Sequence, residues 1–157
     1  MKKYLILALG SLGLAGCATH VPLASQVADQ QAKQFIAPTD KAGLYIYRKS
    51  ILMLGNPTKK ALKIDGKVIG ISAPDVYFYK KVPAGEHIVA TESEFGENKI
   101  KLNMQAGKLY CIHQYMRFDP IWGGLFSQNA NIETVPLDKC KEVIKSLKLA
   151  QSYQSYD

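Results

Sequence analysis

Several residue types are scarce in this chain of 157 residues, and each scarcity excludes something. Histidine and cysteine each occur three times and tryptophan once. No two histidines have the i, i+4 spacing of a helical metal site. No His-Glu-x-x-His, Gly-x-Ser-x-Gly or phosphate-cradling glycine loop is present. The chain therefore offers no catalytic motif, metal set or cofactor fingerprint, and the expectation is a protein without enzymatic activity. Long apolar runs are also missing. The longest, Tyr4 to His20, is broken by glycines and falls short of a comfortable spanning helix, which excludes a polytopic membrane protein. The absence of internal repeats and low-complexity segments excludes collagen-like and coiled-coil arrays. Disorder is excluded too, because 47% of the residues are hydrophobic and 10% aromatic. The length fits one globular domain.

What is present begins with an address. Lys2 and Lys3 make a positive start, Tyr4-Leu5-Ile6-Leu7-Ala8-Leu9 opens a short apolar core, and small residues lead to Cys17. Leu14-Ala15-Gly16-Cys17 resembles the bacterial lipobox. That resemblance implies that residues 1–16 are a signal peptide, and that Cys17 carries a diacylglyceryl group and an acylated (palmitate-type) amine. Two acyl chains already anchor stably, at about 0.8 kcal/mol per buried methylene. Ala18 stands where an Asp would retain such a lipoprotein in the inner membrane. By resemblance to that sorting rule, the protein is expected on the outer membrane, facing the periplasm. Residues 18–40 read as a tether, rich in Ala, Gln and Ser, with Pro22 and Pro38. Gln26 to Phe35 has a weak helical pattern, with Val27, Ala28, Ala32 and Phe35 on one side. Fully extended, the tether reaches about 75 Å.

Once Cys17 is lipidated, Cys111 and Cys140 remain. An even pair in an oxidising compartment invites a disulfide, stabilising by about 3–4 kcal/mol on the chain-entropy model. The plainer alternative is two small buried apolar residues.

Residues 41–150 read as strands followed by one helix. Leu44 to Arg48 is β-branched and aromatic. Ala61 to Ile64 and Lys67 to Gly70 flank Asp65-Gly66, a pair suited to the positive φ of a tight hairpin. Val76 to Val82, Glu86 to Glu94, Lys99 to Met104, Lys108 to Arg117 and Asn131 to Val135 continue the alternation. From Asp138, a candidate cap, the period changes. Cys140, Val143, Ile144 and Leu147 then fall on one helical face. The pattern predicts an antiparallel β-sandwich of about seven short strands with one C-terminal helix. Gln151 to Asp157 reads as a polar, frayed tail.

In order, Leu44-Tyr45-Ile46-Tyr47-Arg48, Ile64-Asp65-Gly66-Lys67-Val68-Ile69-Gly70, Tyr77-Phe78 and Val82-Pro83-Ala84-Gly85-Glu86-His87 resemble bacterial lipoproteins carrying the domain of unknown function 2846. The resemblance covers roughly Lys41 to Leu149. The core is also similar to PEGA-type sandwich domains of cell envelopes. These resemblances imply a lipid-anchored β-sandwich and bring no activity or catalytic residues.

The candidate sites are correspondingly modest. His87 reads as a strand-start residue donating to the backbone. His113, on one face with Leu109, Cys111 and Tyr115, reads as a satisfied core or edge histidine. Glu92, Glu94 and Glu97 read as a solvated hairpin end. Lys59, Lys60, Lys63, Lys67, Lys80, Lys81, Lys99, Lys101 and Lys108 read as single lysines on a solvated face and at sheet edges. The unusual segment runs from Arg117 to Phe126. It places Phe118, Trp122 and Phe126 around Gly123-Gly124, as a contact loop or as a plug folded over the open end of the sandwich. Expected partners are the membrane through the anchor, other envelope proteins and anionic envelope polymers, which a basic domain attracts; nucleic acid is not expected. The sequence thus favours a non-enzymatic binding or scaffolding module. An accessory subunit of an envelope secretion or transport assembly is the alternative, and a cell-wall or lipid hydrolase the weaker one.

Overall fold

A computed structural model describes residues 21–50, 58–93, 96–116 and 129–153. Among them the alternating segments form α1 (Gln26–Ala32), β1 (Ala42–Arg48), β2 (Lys60–Ile64), β3 (Lys67–Ser72), β4 (Val76–Val82), β5 (Gly85–Ser93), β6 (Gly96–Met104), β7 (Leu109–Met116), β8 (Ala130–Thr134), α2 (Leu137–Ile144) and β9 (Lys148–Leu149). The strands make two sheets, ordered β8-β7-β1-β4-β9 and β3-β2-β5-β6. The mainly β architecture expected from the alternation is present, with nine strands rather than about seven. Two pairings, β1 with β7 and β4 with β9, are parallel, where an antiparallel arrangement was expected. Alternation reports which face a residue takes, not which way its neighbour runs.

The two sheets enclose the main core. Leu44, Ile46, Phe78 and Ile112 from one sheet meet Leu62, Ile64, Ile69 and Val89 from the other. Gly70 belongs to this packing: a Cβ there would collide with the Phe78 ring. The Asp65-Gly66 hairpin forms as its chemistry requires, with φ of 51° and 77°.

Strand β1 is buried along its whole length because both of its faces are covered. Its inward face is the inter-sheet core. On its outward face Tyr45 and Tyr47 join Tyr77 and Cys111 in a second core, closed by Ala32, Cys140, Ile144 and Leu147. The order of layers is therefore helices, five-stranded sheet, four-stranded sheet. Cys111 and Cys140 are bonded, with Cα atoms 6.3 Å apart, and pin the first turn of α2 to β7. Asp138 does not cap α2. Pro136 holds that position without a side-chain hydrogen bond, and Asp138 lies in the first turn, where its charge faces the positive end of the helix.

Two expectations about the ends are corrected. The segment read as a tether is packed from Val21 onward. Val21 is 6% exposed inside the inter-sheet core. The Gln151 N–H donates to Pro22 O (2.8 Å) and the Ala24 N–H to Leu149 O (2.9 Å). The tail is docked at least as far as Tyr153, whose N–H donates to Ile69 O on β3 (2.8 Å). Low overall hydrophobicity concealed both, because the holding is done by single buried residues such as Val21 and Ala32 and by hydrogen bonds, not by an apolar run.

Candidate functional site

The N-terminal segment is fastened through one carboxylate. Ser25 caps α1 by accepting from the Ala28 N–H at 3.2 Å. This sets Asp29 one turn later, toward the sheet. Asp29 Oδ1 accepts from the Tyr77 hydroxyl on β4 and from the Leu149 N–H on β9, each at 2.9 Å. Its other oxygen accepts from Lys33 Nζ at 2.7 Å, and Lys33 also donates to Leu147 O at 2.7 Å. Burial pushes the Asp29 carboxyl up, but the bonds from Lys33, Tyr77 and Leu149 outweigh it and leave the group below its usual value. Close by, the Tyr45 hydroxyl donates to Ala32 O at 2.6 Å. Burial raises the pKa of both tyrosines, with the Asp29 charge adding to the effect at Tyr77. They stay neutral donors at any physiological pH.

A second polar cluster fills one end of the sandwich. There β1 and β7 end and β8 begins. Gln114 spans the two sheets: its Nε2 donates to Thr91 Oγ1 at 2.6 Å, and its Oε1 accepts from the Ser72 hydroxyl. All three residues are buried. Arg48, 2% exposed, donates from Nη1 to Thr58 O at 2.6 Å. Burial brings its guanidinium down to about 10, which leaves it cationic at neutral pH. Lys60 is 5% exposed on the same face of β2 as Leu62 and Ile64, and Lys80 is 6% exposed opposite Leu44. Those two lysines correct the solvated-face expectation. Lys67, Lys99 and Lys101 do lie on the exposed side, and Lys63 pairs with Glu97.

His87 binds Asp65 Oδ2 through Nδ1 at 2.7 Å and Pro83 O through Nε2 at 2.9 Å. Two acceptors suit an imidazolium. Burial lowers its pKa, but the Asp65 and Pro83 partners outweigh this and raise it above 6.5. His113 stacks on Tyr47, with ring centroids 4.8 Å apart, and contacts Glu133 at 3.1 Å through Nδ1. It sits at the outer face near the β7–β8 edge, on the same side as Cys111 and Tyr115. Glu92 and Glu97 face each other across the β5–β6 hairpin; Glu92 accepts from the Ala61 N–H at 3.3 Å. Among the described residues no three His, Cys, Asp or Glu side chains converge as a metal site. No helix among them is long and apolar enough to cross a membrane.

Cys17, His20, Glu94, Arg117, Phe118, Trp122 and Phe126 lie outside the described residues. Of the remaining sequence candidates, the structure brings Cys111 and Cys140 together and keeps His87 and His113 apart with separate partners. Asp29, Arg48 and Gln114 were not singled out by sequence. Asp29 had a signal, since its i, i+4 lysine and the preceding serine mark a capped helix.

Residues 38–124 match the family described as Protein of unknown function (DUF2846). An uncharacterized protein of Haemophilus influenzae is 45% identical over 144 residues, which cover 91% of this chain and 81% of that protein. The family match spans more than half of the chain, from just before β1 to beyond β7, and the chain belongs to the DUF2846 family.

Proposed function

We propose that this is a lipid-anchored lipoprotein of the outer membrane, facing the periplasm, whose sandwich is a non-enzymatic binding or scaffolding module. The carrying observation is the sorting of its cysteines. Cys111 and Cys140 form a buried disulfide, the state favoured in oxidising compartments, and Cys17 is left to the lipobox. The likeness to PEGA-type envelope sandwiches supports the same reading. The contact surface in this proposal is the loop carrying Arg117, Phe118, Trp122 and Phe126. The strands flanking it in sequence, β7 and β8, end and begin where Arg48 and Lys60 are buried. An accessory role in an envelope assembly differs from this only in its partner.

The anchor is tested by labelling cells with an alkyne palmitate analogue. Label on the full chain that disappears in Cys17→Ser is expected; label retained in Cys17→Ser, or absent from both, overturns the anchor. The loop is tested through Trp122 emission. A red, iodide-quenchable signal that shifts with vesicles or with cell-wall fragments is expected and identifies the partner class. A blue, unquenched signal indifferent to both would make Trp122 a core residue and remove the loop from the proposal.

A further inference from the structure

The packing of residues 21–36 fixes how far the domain stands from its anchor. Val21 is held inside the inter-sheet core, so Cys17 lies four residues from a fixed point of the fold. Four residues span at most about 14 Å. A lipidated cysteine sits at the top of the hydrocarbon, beneath a headgroup layer about 5–7 Å deep. Roughly half of the short connection is used in clearing the headgroups, and the folded surface around Val21 is left at the lipid face.

That surface is apolar where it needs to be. The large apolar side chains most exposed among the described residues are Ile36 (69%), Val27 (63%), Tyr153 (58%), Leu23 (43%) and Ile88 (39%). Four of these five belong to the N-terminal segment or to the tail docked beside it. Leu23 bridges Ala150, and Tyr153 follows Gln151, whose N–H is bonded to Pro22 O. The exposed face of α1 adds only Gln26, Gln30 and Gln31 to Val27. Its two charged neighbours, Asp29 and Lys33, are spent on each other and on the sheet. The segment thus presents apolar and amide groups without an uncompensated charge, which suits the boundary between headgroups and acyl chains.

We infer that the sandwich lies against the bilayer its own anchor enters, with Leu23, Val27 and Tyr153 in the headgroup layer. Ile88 is on the outer face of the four-stranded sheet, away from α1. The inference rests on lipidation at Cys17 and adds an orientation to it: the anchor works as a short clamp and the sandwich is a surface-apposed module.

The test uses the full mature lipoprotein, purified from membranes and reconstituted into phospholipid vesicles with or without brominated acyl chains. In a Trp122→Phe background, single tryptophans replace Val27, Tyr153 or Ile88. Val27→Trp and Tyr153→Trp are expected to lose at least about half of their emission to bromine, as groups in the interfacial layer do, and Ile88→Trp to be unaffected. Protein that floats with the vesicles while Val27→Trp and Tyr153→Trp are quenched no more than Ile88→Trp overturns the inference and leaves the anchor intact. Blue-shifted emission at Val27 without bromine quenching means that protein, for instance a second copy of this chain, covers the patch, and it overturns the inference equally. Failure of the chain to float, or flotation undiminished in Cys17→Ser, defeats the anchor itself and the inference with it.

Discussion

His87 and Asp65 shape how the fold responds to pH, because each holds the other in its charged form between β5 and the β2–β3 turn. Asp65 is pushed up by burial and brought below its ordinary value of 3.8 by His87 and the Ile88 N–H. Its contribution is complete above that ordinary value and is lost as pH falls through the depressed folded value. His87, raised above 6.5, contributes fully below 6.5 and loses its contribution as pH climbs through the raised folded value. Both contributions are complete only between these limits. Urea midpoints at about pH 5.5 and about pH 9 are therefore expected to differ more for the native chain than for His87→Gln. Equal differences would show that the pair is not coupled to folding. Gly70 is a second single-residue constraint, of a steric kind. With the Phe78 ring in the space of a Cβ, Gly70→Ala is expected to destabilise by about 1–3 kcal/mol through overpacking, read from the same urea curves. A neutral result would mean that Phe78 can move aside.

Among the elements, α2 depends on β7 more than on its own sequence. It has no side-chain cap and a single turn's register of buried residues, Cys140 and Ile144, and Leu147 is buried just beyond its end. Reduction, or the double change Cys111→Ala and Cys140→Ala, is expected to cost about 3–4 kcal/mol on the chain-entropy account. Denaturation with and without reductant measures it. Much of this level was legible beforehand. Alternation located the eight longer strands to within a few residues, Asp-Gly located the hairpin, and the face containing Cys140 and Ile144 located the helix. Strand β9 was not legible because two residues carry no period. The buried Lys60 and Lys80 were not legible for a related reason. Both stand at inward positions of their strands, but a lysine in an alternating segment is read as marking the wet face. Asp29 was hidden differently: its partners Tyr77 and Leu149 are far away in sequence, and no local pattern announces a contact of that range.

For the whole molecule, the decisive difference between the sequence reading and the structure is where the domain starts. A tether over residues 18–40 would be thermodynamically idle, and removing it would leave stability unchanged. The structure makes residues 21–36 part of the fold. Val21 is buried between the sheets, and burying a valine stabilises by about 1.5–3 kcal/mol. Asp29 accepts from Tyr77 and Leu149, and hydrogen bonds to a charged group contribute about 1.5–3 kcal/mol. A chain beginning at Asp40 is therefore expected to be less stable than one beginning at Ala18 by about 3–6 kcal/mol before relaxation of the exposed face. Its Tyr45 and Tyr77, less buried without α1, and Tyr77 also without Asp29, should also titrate closer to pH 10, the ordinary value for a phenol. Spectrophotometric tyrosine titration separates the two pictures even if the shortened chain is only partly folded in urea, because it reads the native baseline. Identical stability and titration in the two chains would return residues 21–36 to the status of a spacer. The domain would then regain a long reach from the membrane, and the short clamp would be lost along with the orientation it imposes.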